Sequence, residues 1–284
     1  MATKELDLLY HSYFSIGIGS DSDALSDASN EEQNIFEEGL YSSFDTTVVS
    51  SPDITFSSVD GRITFGAAGT YLIIGTVPPV VGGSTTMTLK MYKNEVQFFQ
   101  SAAIGGFAAF DPGDLTFHTV CDVAAGDFIT VKIATSDTDT VTVQNGTTLV
   151  LLKANGDYGN LMYTGGADEG SANAIEAIGD SDLGGTVATN LKGVTFTAAA
   201  GTLTPSNTRP HLMFATLYAT INTTAESALG LYVDDSAVEN TLVTYHRNLD
   251  PMEQSYGILK TLTAGETASA RFQGQGGSTK LTIK

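Results

Sequence analysis

The feature that most constrains this chain is an internal repeat with a spacing of about 140 residues. The segment Leu72–Val77 recurs at 212–217, in the same order of apolar and small residues. Further along the register slips by one residue, since Phe117–Asp127 matches 256–266. The matched positions are apolar residues inside strand-like segments and glycines in turns, which are positions that determine a fold. The repeat therefore predicts two copies of one domain in tandem.

The repeated segments have the composition of short β-strands. Typical examples are YLIIGTV (71–77), FITVKI (128–133) and TLVLLK (148–153), which are rich in β-branched and aromatic residues and bounded by turn formers. Many such segments at spacings of about ten residues, without helical patterns between them, indicate a sandwich or barrel. We expect an all-β protein of two tandem β-sandwiches. TLVLLK and TKLTIK (279–284) are predicted to be the last strands of the two copies.

The composition also predicts where the copies begin and end. The stretch after TLVLLK is rich in Gly, Asn, Asp and Ser, which is typical of a linker. Residues 1–35 precede the repeat and are predicted to form an N-terminal arm. The expected domains are therefore 36–154 and 173–284, joined by a linker over 155–172.

Negative charge is concentrated at the N-terminus. The chain has 32 acidic and 13 basic residues, a net charge of -19, and the first 60 residues hold 12 acids and a single base, Lys4. One interpretation is a solvated segment. The other is an acidic arm that binds a partner, because several large apolar residues there need a surface to bury against. The candidate partner-binding residues of the arm are Leu6, Leu8, Leu9, Tyr10, Tyr13 and Phe14.

The charge, the length of the apolar runs and the cysteine count exclude several classes of protein. An acidic surface repels a phosphate backbone, so nucleic acid is not an expected partner. No run approaches 18 apolar residues, so no membrane-spanning helix is expected, and the start of the chain lacks the pattern of a secretory signal. The single cysteine, Cys121, leaves no possibility of an intramolecular disulfide.

No constellation of residues predicts catalysis or a cofactor. The four histidines do not form metal-binding pairs. His118 lies three residues before Cys121, but positions three apart in a strand face opposite sides of the sheet, so a Cys–His nucleophile is not expected. Alternating aspartates are the remaining candidates for a divalent cation, although such pairs are also ordinary in turns. The weak metal candidates are Asp21, Asp23, Asp137 and Asp139.

The ends of the two copies carry a family resemblance. VAAGDFITV (123–131) and LTAGETASA (262–270) each follow an aromatic and apolar segment and precede a final strand, and LKMYKN (89–94) has a matching strand and turn. This order resembles the C1q and tumour-necrosis-factor-like jelly-roll family. The resemblance covers both copies and is better in the first. It implies ten-stranded sandwiches that trimerise through an apolar side, bind proteins or glycans, and perform no catalysis.

Tandem, acidic, tryptophan-free versions of this fold look like virion proteins of tailed bacteriophages. The resemblance thus implies a non-enzymatic capsid decoration, or cement, protein that binds the major capsid protein as a homotrimer, with its arm in a groove of the shell. Two alternatives remain open at this point. One is a tail-fibre head that recognises a host surface glycan, and the other is a double jelly-roll capsid protein.

Overall fold

The computed structural model describes residues 12–18, 24–26, 32–40, 46–81, 86–100, 104–105, 115–135, 140–143, 146–154, 156, 158–163, 167–170, 175–177, 186–221, 227–238, 243–245, 251–274 and 280–283. The chain divides into two compact units, residues 1–155 and 156–284. The described part is built from antiparallel strands and two single-turn 3-10 helices, Glu38–Leu40 and Ala198–Ala200. The all-β prediction is therefore confirmed.

The first unit is formed by the strands of the first half of the chain. They are β1 (Tyr13–Ile18), β2 (Ala24–Ser26), β3 (Gln33–Asn34), β4 (Thr46–Ser50), β5 (Ile54–Ser57), β6 (Arg62–Phe65), β7 (Gly69–Val77), β8 (Pro79–Val81), β9 (Thr86–Lys93), β10 (Val96–Gln100), β11 (Ile104–Gly105), β12 (Leu115–Val123), β13 (Phe128–Thr135), β14 (Thr140–Val143) and β15 (Thr148–Lys153).

Two sheets of the first unit face each other as a jelly roll. One sheet has the order β12-β7-β15-β1-β4, and the main path of the other is β10-β9-β13-β6-β5. To compare this order with a jelly roll, we number eight of these strands from 1 to 8 in chain order: β1, β6, β7, β9, β10, β12, β13 and β15. In these numbers, the first sheet has the order 1-8-3-6 and the second has the order 2-7-4-5. This is the strand order of a jelly roll. The second sheet has seven strands in all, because β11 also pairs with β9 and β3 with β13, and a third sheet has the order β2-β14-β8.

Alternating burial places one face of each sheet in the core. The pattern is strict in β1 and β7, where every second residue is buried, as expected for strands with one face packed. Residues of both sheets, such as Ile73 and Leu151 from one and Ile63 and Val131 from the other, share one hydrophobic cluster and are 0% exposed. Burial of these apolar side chains is the main force that holds the two sheets together.

The position of β1 corrects part of the predicted arm. Strand β1 lies inside its sheet, between β15 and β4, with Phe14 opposite Leu151 on one side and opposite Ser50 on the other. Phe14 is fully buried in the core. Tyr13 and Phe14 therefore belong to the folded first unit, because residues 13–18 alternate inward-facing apolar positions that complete the sandwich. Ile35, the last residue of the predicted arm, is also in this core.

The second unit is formed by the strands of the second half of the chain. They are β16 (Tyr158–Tyr163), β17 (Ala167–Gly170), β18 (Ile175–Ala177), β19 (Thr186–Lys192), β20 (Val194–Thr197), β21 (Thr202–Pro205), β22 (Arg209–Ile221), β23 (Ser227–Val233), β24 (Ser236–Ala237), β25 (Val243–Tyr245), β26 (Pro251–Leu262), β27 (Ala268–Gly274) and β28 (Lys280–Ile283).

Strand pairing in the second unit repeats that of the first, residue by residue. Strand β22 pairs with β26 as β7 pairs with β12, and β23 pairs with β27 as β9 pairs with β13. At the start of the units, β16 pairs with β19 as β1 pairs with β4, and β17 pairs with β28 as β2 pairs with β14. The predicted tandem repeat is thus confirmed in the hydrogen-bonding register as well as in the sequence.

The hairpin turns recur too. Asn94 and Glu95 join β9 to β10 with positive φ angles of 50° and 64°, and Asp234 and Asp235 join β23 to β24 with φ angles of 45° and 63°. Two consecutive left-handed residues form a type I′ turn, whose twist matches that of the flanking strands. Asn and Asp tolerate this conformation better than most residues because their short side chains bond locally.

The segment predicted as a linker, 155–172, contains strands of the second unit. Residues 158–163 form β16, and residues 167–170 form β17, which pairs with the end of the chain at β28. Its Gly, Asn and Asp content suits the short turns between these strands as well as it suits a linker. The contacts of the chain divide at Asn155 and Gly156.

The final strands of the two units are not equivalent, which corrects the matching of TLVLLK with TKLTIK. TLVLLK is β15, but TKLTIK contains β28, whose partners β17 and β22 correspond to the partners β2 and β8 of β14. Strand β28 is therefore the counterpart of β14. Thirteen strands are described in the second unit and fifteen in the first, because β22 spans the counterparts of both β7 and β8 and no described strand corresponds to β15.

Candidate functional site

The four aspartates that the sequence suggests as metal ligands are not among the described residues. Asp21, Asp23, Asp137 and Asp139 all lie outside the described residues. Within the described ranges, no group of three or more His, Cys, Asp and Glu side chains is arranged to hold a metal ion.

Cys121 and His118 lie on opposite faces of β12, as their spacing predicts. Cys121 is in the core of the first unit at 4% exposure, and burial raises the pKa of its thiol to about 11. Burial on the other face lowers the pKa of His118 to about 4. A nucleophilic cysteine needs a lowered pKa and a base within hydrogen-bond reach. This pair therefore has the electrostatics of structural residues, with a neutral thiol and a neutral imidazole at pH 7.

A cluster of charged residues lies on the seven-stranded sheet of the first unit. Lys90 Nζ lies 2.5 Å from a carboxylate oxygen of Glu32, and the Tyr92 hydroxyl donates a hydrogen bond to the other oxygen of that carboxylate. The Lys132 ammonium lies 4.6 Å from the centre of the Tyr92 ring and 3.6 Å from Glu95. Of these side chains, Glu32, Glu95 and Lys132 line a cavity of about 230 Å³.

The pKa shifts in this charged cluster show that its groups keep their ordinary protonation states through contacts with one another. Burial acts to raise the pKa of Glu32, but the hydrogen bonds from Lys90 and Tyr92 outweigh it, and the pKa is lowered. Burial raises the pKa of Tyr92, and the hydrogen bond to Glu32 raises it further. The carboxylate stays charged and the phenol stays protonated at pH 7. The cluster therefore fixes the segment before β3 onto β9, and it offers no group poised for proton transfer.

A second polar cluster fixes the start of β1. Ser51 Oγ donates to Asp53 Oδ1 at 2.5 Å, and Ser12 Oγ donates to the other oxygen of the same carboxylate. Burial acts to raise the pKa of Asp53, but these hydrogen bonds outweigh it, so the pKa is lowered. The backbone of Ser12 accepts a hydrogen bond from Lys153 N at the end of β15, with an N···O distance of 2.9 Å. These hydrogen bonds hold Ser12 beside Asp53 and the end of β15.

Four of the six predicted arm contacts, Leu6, Leu8, Leu9 and Tyr10, lie outside the described residues. The other two, Tyr13 and Phe14, are the first residues of β1. The structure thus places two of the six residues in the first unit.

The most distinctive surface of the second unit is an edge of β22. One edge of this strand pairs with β26 over its length, whereas on the other edge β28 pairs only with Ala219–Ile221. In the first unit, the corresponding edge of β7 pairs with β15 from Tyr71 to Thr76. Residues 211–216 are the counterpart of that segment, and we refer to them as the β22 edge. The described pairing of residues 211–216 is the one with β26.

Burial along the β22 edge differs from burial along the corresponding part of β7. Ile73 in the first unit is 0% exposed, whereas its counterpart Met213 is only partly buried against the core of the second unit. Leu212 in the same segment is 41% exposed.

No family model matches the sequence, and no curated protein matches it. Among solved structures, the Eiger TNF from S. frugiperda is 12% identical over 52% of this chain and 94% of that chain, with a TM-score of 0.36. The dimeric latent PorU from Porphyromonas gingivalis is 8% identical over 96% of this chain and 20% of that chain, with a TM-score of 0.27. The CBM22-1-CBM22-2 tandem domain of Paenibacillus barcinonensis Xyn10C is 9% identical over 94% and 100% of the two chains, with a TM-score of 0.22.

Similarities of this size do not indicate a function, and the jelly-roll assignment of the first unit rests on its own strand order. Among the described residues, no helix has the length and apolarity needed to cross a bilayer.

Proposed function

We propose that this protein is a non-enzymatic structural protein of a virion, a decoration protein that binds the outer capsid shell as a homotrimer. The observation that carries the structural role is the duplicated antiparallel sandwich, confirmed in strand register in both units. Such sheets are rigid because their strands are held by long-range pairing on both sides, and they present loops and edges for contacts with other subunits. The virion location itself is supported by the sequence resemblance.

The electrostatics of the buried groups favour this role over an enzymatic one. The thiol of Cys121 and the imidazole of His118 have pKa values of about 11 and about 4, which move both groups away from catalysis near neutral pH. The charged cluster around Glu32 consists of paired groups whose hydrogen bonds are satisfied within the unit. These groups stabilise the first unit as a scaffold.

Cosedimentation with capsids tests this proposal. Purified protein is mixed with undecorated capsids of the parent virus, and with capsids of an unrelated virus as the control. We expect saturable binding to the parent capsid, with copy numbers in multiples of three, and a higher temperature of capsid disassembly. The absence of binding to any capsid would contradict the proposal. Saturable binding to host cells without capsid binding would instead support a fibre-head function.

The oligomer is tested separately by sedimentation velocity. A homotrimer of a 29.7 kDa chain has a mass of about 89 kDa. A species of this mass that is present before capsid addition supports the proposed trimer, and a monomer over the whole concentration range contradicts it.

A further inference from the structure

A polar cavity in the first unit lies where β13 changes its neighbour. On one edge of β13, residues 128–129 pair with β6 and residues 132–133 pair with β3, so Thr130 lies between the two partners. The residues on either side of Thr130, Ile129 and Val131, are in the core. Because side chains alternate along a strand, Thr130 faces the other side of the sheet. There it lines the cavity of about 230 Å³ that the charged cluster borders.

The lining of this cavity has an excess of negative charge. Four acidic and two basic side chains line it, namely Glu32, Glu37, Asp60, Glu95, Arg62 and Lys132. Lys90 pairs with Glu32 and offsets one of the two excess charges. A concave site with one sign of charge in excess concentrates ions of the opposite sign. The cavity therefore favours a cationic ligand over an anionic one.

Two oxygen atoms of the lining are buried without a hydrogen bond. Thr130 is 2% exposed, and its hydroxyl oxygen has no hydrogen-bond partner. One carboxylate oxygen of Asp60 lies 3.3 Å from Arg62 Nε, whereas the other, Oδ1, is buried and has no partner. Buried polar groups of native proteins are nearly always hydrogen-bonded. A ligand with several N–H donors would satisfy both oxygens.

The carboxylate of Asp60 is held at the cavity by a fixed backbone. The buried side chain of Asn34 donates a hydrogen bond to the Asp60 carbonyl at 2.7 Å and accepts one from Phe36 N at 3.2 Å. Gly61 has a positive φ of 59°, and a Cβ there would lie 2.5 Å from Asn34 Nδ2. This close packing fixes the turn before β6 on β3. A site that is fixed in advance loses less entropy when a ligand binds.

The size and shape of the cavity favour a small cationic group. Pockets for drug-sized ligands have volumes of about 300–1,000 Å³, so this cavity suits the end of a side chain or a small compound. The side chains of Asp60, Arg62 and Glu95 are partly exposed, which leaves the cavity accessible from solvent. Within the described part of the chain, no group of acids is arranged to hold a metal ion. The cation that fits is therefore an organic one.

Among organic cations, a guanidinium group matches the two buried oxygens best. Asp60 and Thr130 come from different segments of the chain, so a donor must direct N–H groups in more than one direction. A guanidinium is planar, presents five N–H donors in a fixed fork, and is more weakly hydrated than an ammonium. An ammonium has three donors on one atom and loses more hydration when it is buried.

We propose that this cavity binds a guanidinium group, presented by an arginine side chain of a polypeptide or by a small free compound. The guanidinium donates hydrogen bonds to Asp60 Oδ1 and to the Thr130 hydroxyl, and the excess negative charge of the lining balances its positive charge. This binding activity goes beyond the capsid role and does not depend on it.

Fluorescence anisotropy with a labelled pentapeptide tests the ligand class. The probe has one arginine between glycines, and about 0.15 M salt limits long-range attraction to the acidic protein. We expect saturable binding of this probe. The same peptide with citrulline, which has a urea group in place of the guanidinium, should bind about 10-fold more weakly or worse. Absence of saturable binding, or equal binding of the citrulline or lysine peptide, would overturn the proposal.

A pair of variants with the same change in net charge tests the location of the site. Asp60→Asn removes a charge from the cavity, and we expect it to weaken binding of the arginine peptide about 10-fold or more. The control, Asp122→Asn, removes an exposed charge on β12 in the other sheet and should change binding by less than about two-fold. Equal weakening by both variants would show unspecific attraction to an acidic protein and would overturn the proposal.

Thr130→Val separates binding from folding. The Thr130 hydroxyl has no hydrogen bond within the protein, so its removal should leave Tm unchanged or raise it. The same substitution should weaken binding of the arginine peptide about five-fold. A Thr130→Val variant that binds like the unchanged protein would contradict the assigned contact.

Competition with ethylguanidinium identifies the source of the group. Displacement of the labelled peptide at a similar concentration supports a small free compound, because the guanidinium alone then accounts for binding. Binding of the arginine peptide that resists a 100-fold excess of ethylguanidinium supports a polypeptide partner. None of these measurements needs a capsid, so their failure is distinct from a failure of capsid binding. Displacement by ethylurea as effective as that by ethylguanidinium would overturn the proposal.

Discussion

Replacing Phe14 with alanine distinguishes a core strand from an arm at the N-terminus. Phe14 is 0% exposed, lies opposite Leu151 of β15, and its ring centre is 6.2 Å from that of Phe56 at an angle of 48°. The substitution leaves a cavity between the two sheets, in a strand that is paired on both sides. If residues 13–18 were part of a loosely attached arm, the same change would hardly affect stability.

The expected loss is a large fraction of the stability of the first unit. Truncation of a buried Phe to Ala costs about 3–5 kcal/mol, which includes the lost transfer free energy and the cavity. The tilted ring pair with Phe56 accounts for about 0.5–1.5 kcal/mol of this loss. For a unit of this size, each kcal/mol lowers Tm by about 2–4 °C, so the substitution should lower Tm by about 6–20 °C.

Urea unfolding followed by tyrosine fluorescence measures this loss, because the chain has 11 tyrosines and no tryptophan. The matched control is Ser15→Ala, the next residue of β1, whose side chain points to the other face and is only half-buried. It should change the free energy of unfolding by less than about 1 kcal/mol. A Phe14→Ala variant that is as stable as the Ser15→Ala variant would refute the assignment of β1 to the core.

Three further predictions concern the first unit. Gly75→Ala would place a Cβ 2.1 Å from Phe117 Cζ, so it should lower the free energy of unfolding in urea by at least about 1–3 kcal/mol. The control Gly17→Ala, whose Cβ would have no contact under 3.8 Å, should be tolerated. The pKa of His118 is 6.5 in the unfolded chain and about 4 in the folded protein, so between these pH values only the unfolded chain binds the proton. The free energy of unfolding should therefore fall by roughly 3 kcal/mol as the pH drops from 6.5 to 4. His118→Gln should reduce this fall, and an unchanged pH profile would contradict the assignment. Cys121 should resist thiol reagents in the folded protein at pH 7 and react fully in urea, because it is buried and its pKa is raised.

The strands of the sandwich could be predicted from local sequence patterns. The segment predicted at 71–77 lies within β7, and TLVLLK coincides with β15, because alternating apolar residues leave a period of two that is visible in the sequence. The repeat was visible for the same reason, since both copies keep apolar residues at core positions. Hairpin turns with Asn94 or Asp234 keep the spacing between strands constant in each copy.

Long-range pairing could not be predicted in the same way. Residues 13–18 carry apolar alternation, but their partner β15 is far away in sequence, and the many acids around them indicated an arm. TKLTIK was matched with TLVLLK because β14, β15 and β28 have similar alternation. Only the register of their neighbours identifies β28 as the counterpart of β14. Side-chain patterns specify a strand, whereas its partners depend on the packing of the whole unit.

The pairing of β1 with β15 also has a consequence for synthesis of the chain. Tyr13 lies opposite Leu152, so the first sheet cannot close until nearly all of the first unit has left the ribosome. At about 5–20 residues per second, roughly 7–28 s pass between the translation of these two residues. During that time β1 and β7 expose the edges that β15 later covers. A nascent chain stalled before residue 148 should therefore remain sensitive to protease and recruit chaperones, and release of a few more residues should protect the whole unit.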